Sequence, residues 1–154
     1  MTISYGKQSI NNSDIKSVVK ILKSNYLTQG PTVEKFEFEL RRKLKTKYST
    51  VLINGSAALL LVAKILNWKK GDVIAVSPIT FLSQINAIEH SNAMPLFVDI
   101  SMQDYCMDPE KLELELKKDK SKKIKAAIIT DYGGQPAQWE KFYNLKKKIQ
   151  NKIN

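Results

Sequence analysis

Residues 51–81, VLINGSAALLLVAKILNWKKGDVIAVSPITF, constrain the fold of this chain more than any other stretch. A short β-branched run, Val51-Leu52-Ile53, meets a tight turn at Asn54-Gly55-Ser56. Residues 57–66 then have the composition of a buried helix, and Lys69-Lys70-Gly71-Asp72 leads into a second strand over residues 73–77. Strand, small-residue turn, apolar helix and strand, in that order, predict one βαβ unit of a parallel sheet. Chemistry in such a unit belongs at the turn. Gly55 lets the backbone approach a ligand, Ser56 adds a hydroxyl, and the first amides of the helix favour an anion such as a phosphate. Asn54 and Ser56 are also ordinary helix caps, and local spacing leaves both readings open.

The rest of the chain continues the pattern. Asn12 or Ser13 is expected to cap a helix running to Lys23, with Ile15, Val18, Val19 and Leu22 at helical spacing. The loop Asn25-Tyr26-Leu27-Thr28-Gln29-Gly30-Pro31 precedes a second helix, with Thr32 as its expected cap and Val33, Phe36, Leu40 and Leu44 as its apolar stripe. Beyond the central unit, Thr80 is expected to cap a helix carrying Phe81, Ile85 and Ile88. Residues 95–100, PLFVDI, and 126–131, AAIITD, read as strands. Between them Asp108-Pro109 has the residues of a helix start. Tyr132-Gly133-Gly134-Gln135-Pro136 then leads to a last helix with Trp139, Phe142, Tyr143 and Ile149. Strands alternating with helices predict an α/β fold with a mainly parallel sheet. Ligands of such sheets bind beyond the strand carboxyl ends, where Ser56, Phe81 and Tyr132 all fall.

Bulk properties narrow the function. A length of 154 residues suits one domain with a real core. No apolar run is long enough to span a bilayer, and MTISYGKQSI lacks the apolar centre of a signal peptide. The single cysteine, Cys106, excludes an internal disulfide, fits a reducing cytoplasm and reads as an inert thiol. His90, the lone histidine, reads as a surface or helix-end residue, since no acid or nucleophile is placed beside it. The net charge of +10 raises nucleic acid as a partner. The basic residues argue against it, because arginine occurs only at Arg41 and Arg42. The lysine runs at 117–125 and 146–148 sit beside predicted helices and read as solvated faces.

Six pieces together resemble a known family. They are Tyr5-Gly6-Lys7-Gln8-Ser9-Ile10; Leu27-Thr28-Gln29-Gly30-Pro31 with Val33, Phe36 and Glu37; Asn54-Gly55-Ser56-Ala57-Ala58-Leu59; Pro78-Ile79-Thr80-Phe81; Pro95-Leu96-Phe97-Val98-Asp99-Ile100; and Tyr132-Gly133-Gly134-Gln135-Pro136-Ala137. In this order they resemble the N-terminal part of the DegT/DnrJ/StrS nucleotide-sugar aminotransferases, enzymes of fold type I that use pyridoxal 5′-phosphate (PLP). The pseudaminic-acid branch, which forms UDP-4-amino-4,6-dideoxy-N-acetyl-β-L-altrosamine, is the most similar.

The resemblance implies the N-terminal part of a fold type I large domain, and roles for particular residues. Gly55, Ser56 and the backbone of Ala57 would hold the cofactor phosphate, and Phe81 would stack on its ring. Tyr5, Thr28, Gln29 and Gly30 would line the sugar-nucleotide pocket, and Tyr132 would lie near the cofactor edge. UDP-sugar and glutamate would be the substrates, and the enzyme would be a cytoplasmic homodimer with no nucleic-acid or membrane partner and no metal. Residues 1–154 would form a single domain. Residues 1–49 would be a helical arm with a substrate loop, and residues 50–154 the βα units of the cofactor domain. The family's Schiff-base lysine and the aspartate facing the pyridine nitrogen follow the Tyr132 segment, and no lysine here stands in that context. The chain is therefore expected to be an incomplete fragment without a catalytic residue, inactive alone. The alternatives are a non-catalytic nucleotide-sugar or phosphate-binding remnant, a remnant that survives by oligomerising, and a basic nucleic-acid-binding domain.

Overall fold

The computed structural model describes residues 6–150. Its contacts divide the chain into two units, residues 1–51 and residues 52–154.

The first unit holds two helices. In α1 (Asn12–Leu22) the cap is Asn11, one residue earlier than the spacing suggests. Asn11 Oδ1 accepts the amides of Ser13 and Asp14 at 2.8 and 3.2 Å, and Asp14 Oδ2 accepts the Asn11 amide at 2.9 Å. This reciprocal box satisfies donors that the first turn leaves open. In α2 (Pro31–Leu44) Gly30 is the cap position and Pro31 the first helical residue, so Thr32 lies inside the helix and does not cap it. Gly30 is required by close approach, since a Cβ there would lie 2.7 Å from Tyr26 Cβ.

The run Val51-Leu52-Ile53 is not a strand. The Val51 amide donates to Glu37 Oε1 at 2.9 Å, and Ile53 is 89% exposed. A strand needs a neighbour to take its backbone groups, and among the described residues this run has none.

The second unit carries a sheet. Its elements are α3 (Gly55–Ile65), β1 (Val73–Val76), α4 (Ser83–His90), β2 (Met94–Phe97), α5 (Pro109–Lys118), β3 (Ile124–Ile128), a 3-10 turn (Tyr132–Gly134) and α6 (Trp139–Gln150). The strand order is β2-β1-β3, and both pairings are parallel. Val76 stands opposite Phe97 on one side and Ile128 on the other, so the carboxyl ends are level. An irregularity between Val73 and Ile74 shifts the β1–β3 register by one residue.

β1 is the buried centre, with Ile74, Ala75 and Val76 fully covered. Alternation sends their side chains to opposite faces. Ala75 joins Val98, Met107, Leu112, Phe142 and Leu145 under α5 and α6. Ile74 and Val76 join Ala63, Trp68, Ile88 and Ala93 under α3 and α4. A parallel sheet covered on both faces is the expected α/β class.

Several boundaries differ from the sequence reading. β2 ends at Phe97, and Ile100 instead forms an antiparallel bridge with Met107. β3 spans Ile124–Ile128, earlier than 126–131. α3 buries only Ala63 and leaves Leu60, Leu61 and Ile65 exposed, so it is not covered on all sides. Asp108 caps α5 as expected, accepting the Glu110 amide at 2.8 Å. Lys111 Nζ donates to Asp99 Oδ2 at 2.7 Å. That hydrogen bond, helped by the Ile100 amide, holds the Asp99 carboxyl below the usual carboxylate range. Cys106 is buried beneath the same helices.

Candidate functional site

The parallel order decides where ligand-facing groups collect. α4 leaves the carboxyl end of β1 directly. The short connection at residues 66–72 returns α3 to the amino end of β1, which leaves the α3 N-terminus at the carboxyl end. The two helices pack on the same face of the sheet, so both offer their positive ends there.

At the α3 N-terminus Asn54 is extended, with φ −166° and ψ 173°, and its Oδ1 accepts the Ala57 amide at 2.8 Å. Its carbonyl accepts the Ala58 amide at 3.2 Å. Among the described residues the amides of Gly55 and Ser56 donate to no protein acceptor. No acidic side chain stands in this turn, and a Cβ on Gly55 would meet nothing within 4 Å. Two open amides, the Ser56 hydroxyl and clear space therefore face an incoming anion. The Ala57 amide, a donor of the expected cradle, is already engaged by the cap.

Phe81 lies on the segment that joins β1 to α4, and its ring is 75% exposed. That segment is braced. Ser77 Oγ accepts the Ile79 amide at 3.2 Å, and the Gln84 amide donates to the Phe81 carbonyl at 3.1 Å. Thr80 Oγ1 pairs with Thr130 Oγ1 at 3.1 Å, and Gln84 Nε2 donates to Thr130 Oγ1 at 2.8 Å. Thr130 follows β3, so this cluster ties the ends of two strands together. Thr80 spends its hydroxyl here and does not cap α4, whose N-cap position is Leu82. Gln84 Oε1 is buried and accepts no hydrogen bond among the described residues.

Tyr132 opens the 3-10 turn beyond β3 and is 43% exposed. Gly133 and Gly134 follow at φ 61° and 81°, where glycine is the least strained residue. Asp131 Oδ1 closes this loop by accepting the Ala137 amide at 2.8 Å and Trp139 Nε1 at 2.9 Å.

The second unit thus brings the loops of Phe81 and Tyr132 together through Thr80, Gln84 and Thr130. Gln84 and Thr130 were not singled out in the sequence. Their signal is positional, a threonine directly after a strand and a glutamine in the first turn of the next helix. Thr28 and Gln29 lie exposed in the first unit, with Gln29 at φ 47°. Tyr5 lies outside the described residues. Among the described residues no group of three or more His, Cys, Asp or Glu could hold a metal, and no helix is long and apolar enough to cross a membrane.

Comparison with known proteins adds relatives to this geometry. The sequence profile of the DegT/DnrJ/EryC1/StrS aminotransferase family matches residues 8–153. A UDP-4-amino-4,6-dideoxy-N-acetyl-beta-L-altrosamine transaminase of Campylobacter jejuni is 35% identical over 146 residues, covering 95% of this chain and 38% of its own. The putative sugar aminotransferase Spr1654 from Streptococcus pneumoniae, in its PMP-form, superposes with a TM-score of 0.85 at 27% identity. That match covers 96% of this chain and 36% of the other. Helicobacter pylori PseC, an aminotransferase involved in the biosynthesis of pseudaminic acid, gives a TM-score of 0.81 at 30% identity over 94% of this chain and 38% of its own. The chain spans little more than a third of the length of these relatives.

Proposed function

The chain belongs to the DegT/DnrJ/EryC1/StrS aminotransferase family, and from that premise we propose that it forms part of the cofactor and sugar-nucleotide site of a PLP-dependent transaminase. The reaction is transfer of the amino group of glutamate to the 4-keto carbon of a UDP-linked deoxy-N-acetylamino sugar, a step of bacterial surface-sugar synthesis. The likeness to the Campylobacter transaminase and to PseC supports that substrate class. One observation carries the reading. The α3 N-terminus, with helix amides that have no protein acceptor among the described residues, and the braced loop of the exposed Phe81 both belong, by the order of the elements, to the carboxyl end of the parallel sheet.

These residues fit a phosphorylated aromatic cofactor. The Gly55 and Ser56 amides and the Ser56 hydroxyl are donors for a phosphate dianion, and no carboxylate in the turn repels it. The face of Phe81 offers a stacking surface for a pyridine ring. When bound, the cofactor supplies the electron sink through which an amino group passes between carbons. The chain's own part is to hold and orient. The α3 N-terminus anchors one end, Phe81 sets the plane of the ring, and the Thr80–Thr130–Gln84 cluster keeps Phe81 from swinging away. Tyr5, Thr28, Gln29 and Gly30 are assigned to the sugar nucleotide on their motif alone.

No residue of this chain is assigned the covalent link to the cofactor, so for these residues the reading is binding and positioning. The working enzyme is a cytoplasmic homodimer in this proposal, an assignment that rests on the family; the exposed apolar side chains of α3 are a surface that a second subunit could cover. The test uses the full product of the gene, incubated with PLP, glutamate and a UDP-4-keto sugar. The reading requires 2-oxoglutarate release with formation of a 4-amino sugar nucleotide. A keto sugar left unchanged with every amino donor would refute it.

A further inference from the structure

At the amino end of the sheet, where β1 and β3 begin, a cavity of about 400 Å³ is lined by Leu66, Asn67, Trp68, Lys69, Asp72 and Lys125. The Val73 amide donates to the Lys123 carbonyl at 2.9 Å, and Val73 pairs with Ile124, so the loop before β1 and the start of β3 are held side by side. The volume suits a small molecule. By the order of the elements this is the end away from Phe81 and the α3 N-terminus, and the proposed transamination uses none of these residues.

Four polar groups there are uncommitted. Trp68 and Asp72 are each 8% exposed. Trp68 packs with Ile74, Val76 and Ile88, and its indole N–H has no acceptor among the described residues. Asp72 Oδ2 accepts the Lys69 amide at 3.0 Å, and Oδ1 accepts nothing. Among the described residues that are not exposed, Gln84 Oε1 is the one enclosed side-chain N or O without a partner. The Trp68 N–H and Asp72 Oδ1 therefore open outward on side chains that are otherwise covered. Lys69 and Lys125 are exposed and form no ion pair among the described residues. Lys125 Nζ donates to the Lys122 carbonyl at 3.0 Å, which leaves two of its three donors.

These groups set the chemistry of a ligand. Two ammoniums and an indole N–H against one carboxylate favour an anion, and two cations suit a phosphate dianion. Asp72 Oδ1 only accepts, so the same ligand must also offer O–H donors. With its ring in the core, Trp68 gives an edge donor and no stacking face, which argues against a nucleobase. We propose that this cavity binds a small phosphate ester of a polyol, with the phosphate on Lys69 and Lys125, a hydroxyl on Asp72, and the Trp68 N–H donating to a ligand oxygen.

The test titrates the chain with glucose 1-phosphate and follows backbone amides and the Trp68 indole N–H by NMR. Residues 67–72 and 125 and the indole should shift together and saturate. Glucose and inorganic phosphate each carry half of the ligand and should leave these residues unshifted at the same concentration. Lys69→Gln and Lys125→Gln change exposed side chains, so the fold should stand, and each should weaken binding about fivefold. Lys147→Gln, on the exposed side of α6, should leave it unchanged. Trp68→Phe keeps a ring in the core and removes the donor, and should weaken binding by a similar factor; if that chain unfolds, the two lysine variants decide. Shifts at residues 54–58 report the α3 N-terminus and should be indifferent to Lys69→Gln, so the two sites fail separately. Shifts confined to residues 54–58, equal affinity for inorganic phosphate, lysine variants without effect, or an equal loss in Lys147→Gln would each overturn the proposal.

Discussion

The side-chain oxygen of Asn54 accepts the Ala57 amide at 2.8 Å, which makes one residue both the cap of α3 and a competitor for any anion at that helix end. A phosphate arriving at this turn finds the Gly55 and Ser56 amides open and must displace Asn54 to gain a third.

Asn54→Gly is therefore expected to trade a little stability for tighter anion binding. Replacing a side-chain cap by glycine costs a few tenths of a kcal/mol. The released amide adds about 1 kcal/mol to phosphate binding, roughly a fivefold gain. A phosphate titration followed on the amides of residues 55–57, beside a urea unfolding curve, reads both. Unchanged affinity would mean that the cap and the anion do not compete.

Thr130→Val removes the hydroxyl that accepts from Gln84 and pairs with Thr80. The Gln84 amide is then left without its partner in a half-buried place, at a cost of about 1–3 kcal/mol. Adding Gln84→Leu removes the stranded donor. The double variant should lose clearly less stability than the two single losses combined, as expected for residues in contact. Additive losses in chemical denaturation would show that the cluster is not a unit.

Acid should open the turn before β3. The bond from the Ile124 amide is the main reason the Asp119 carboxyl lies below the usual carboxylate range, with modest burial opposing it and the Lys123 amide adding to it. A carboxyl depressed by folding contributes stability that is complete above its unfolded value, and lost as pH falls through the folded one. Protection of the Ile124 amide should thus be flat at neutral pH and disappear below about pH 4. Asp119→Asn should lose the acid-dependent step. An unchanged acid profile in that variant would assign the step to another group.

The class of the fold was legible because β1, α4, β2, α5 and β3 alternate in period and are marked by local chemistry such as Asp108-Pro109. The Val51-Leu52-Ile53 run misled because β propensity describes a side chain's fit to a sheet and says nothing about whether a neighbouring strand is present. α3 misled in the same way, since an apolar composition predicts burial only where something covers the helix. At the site, Ser56 and Phe81 could be named from their places after a turn and a strand. The Thr80–Thr130–Gln84 cluster could not, because its members are up to 50 residues apart in sequence and meet only through the β1–β3 pairing.

The most direct measurement is chemical-shift mapping of the chain with PLP and with inorganic phosphate. A short-range dipole and a few hydrogen bonds give weak binding, near a millimolar dissociation constant at about 4 kcal/mol. PLP should perturb residues 54–58 and 81, and phosphate only residues 54–58. Ser56→Ala should weaken both ligands a few-fold. Phe81→Ala should weaken PLP alone, because only PLP has a ring to stack. Gly55→Val should remove both with little change in stability, since its side chain enters space that is open in the free protein. Perturbation confined to the lysines of residues 117–125, indifferent to all three substitutions, would contradict the account and reduce the binding to charge attraction.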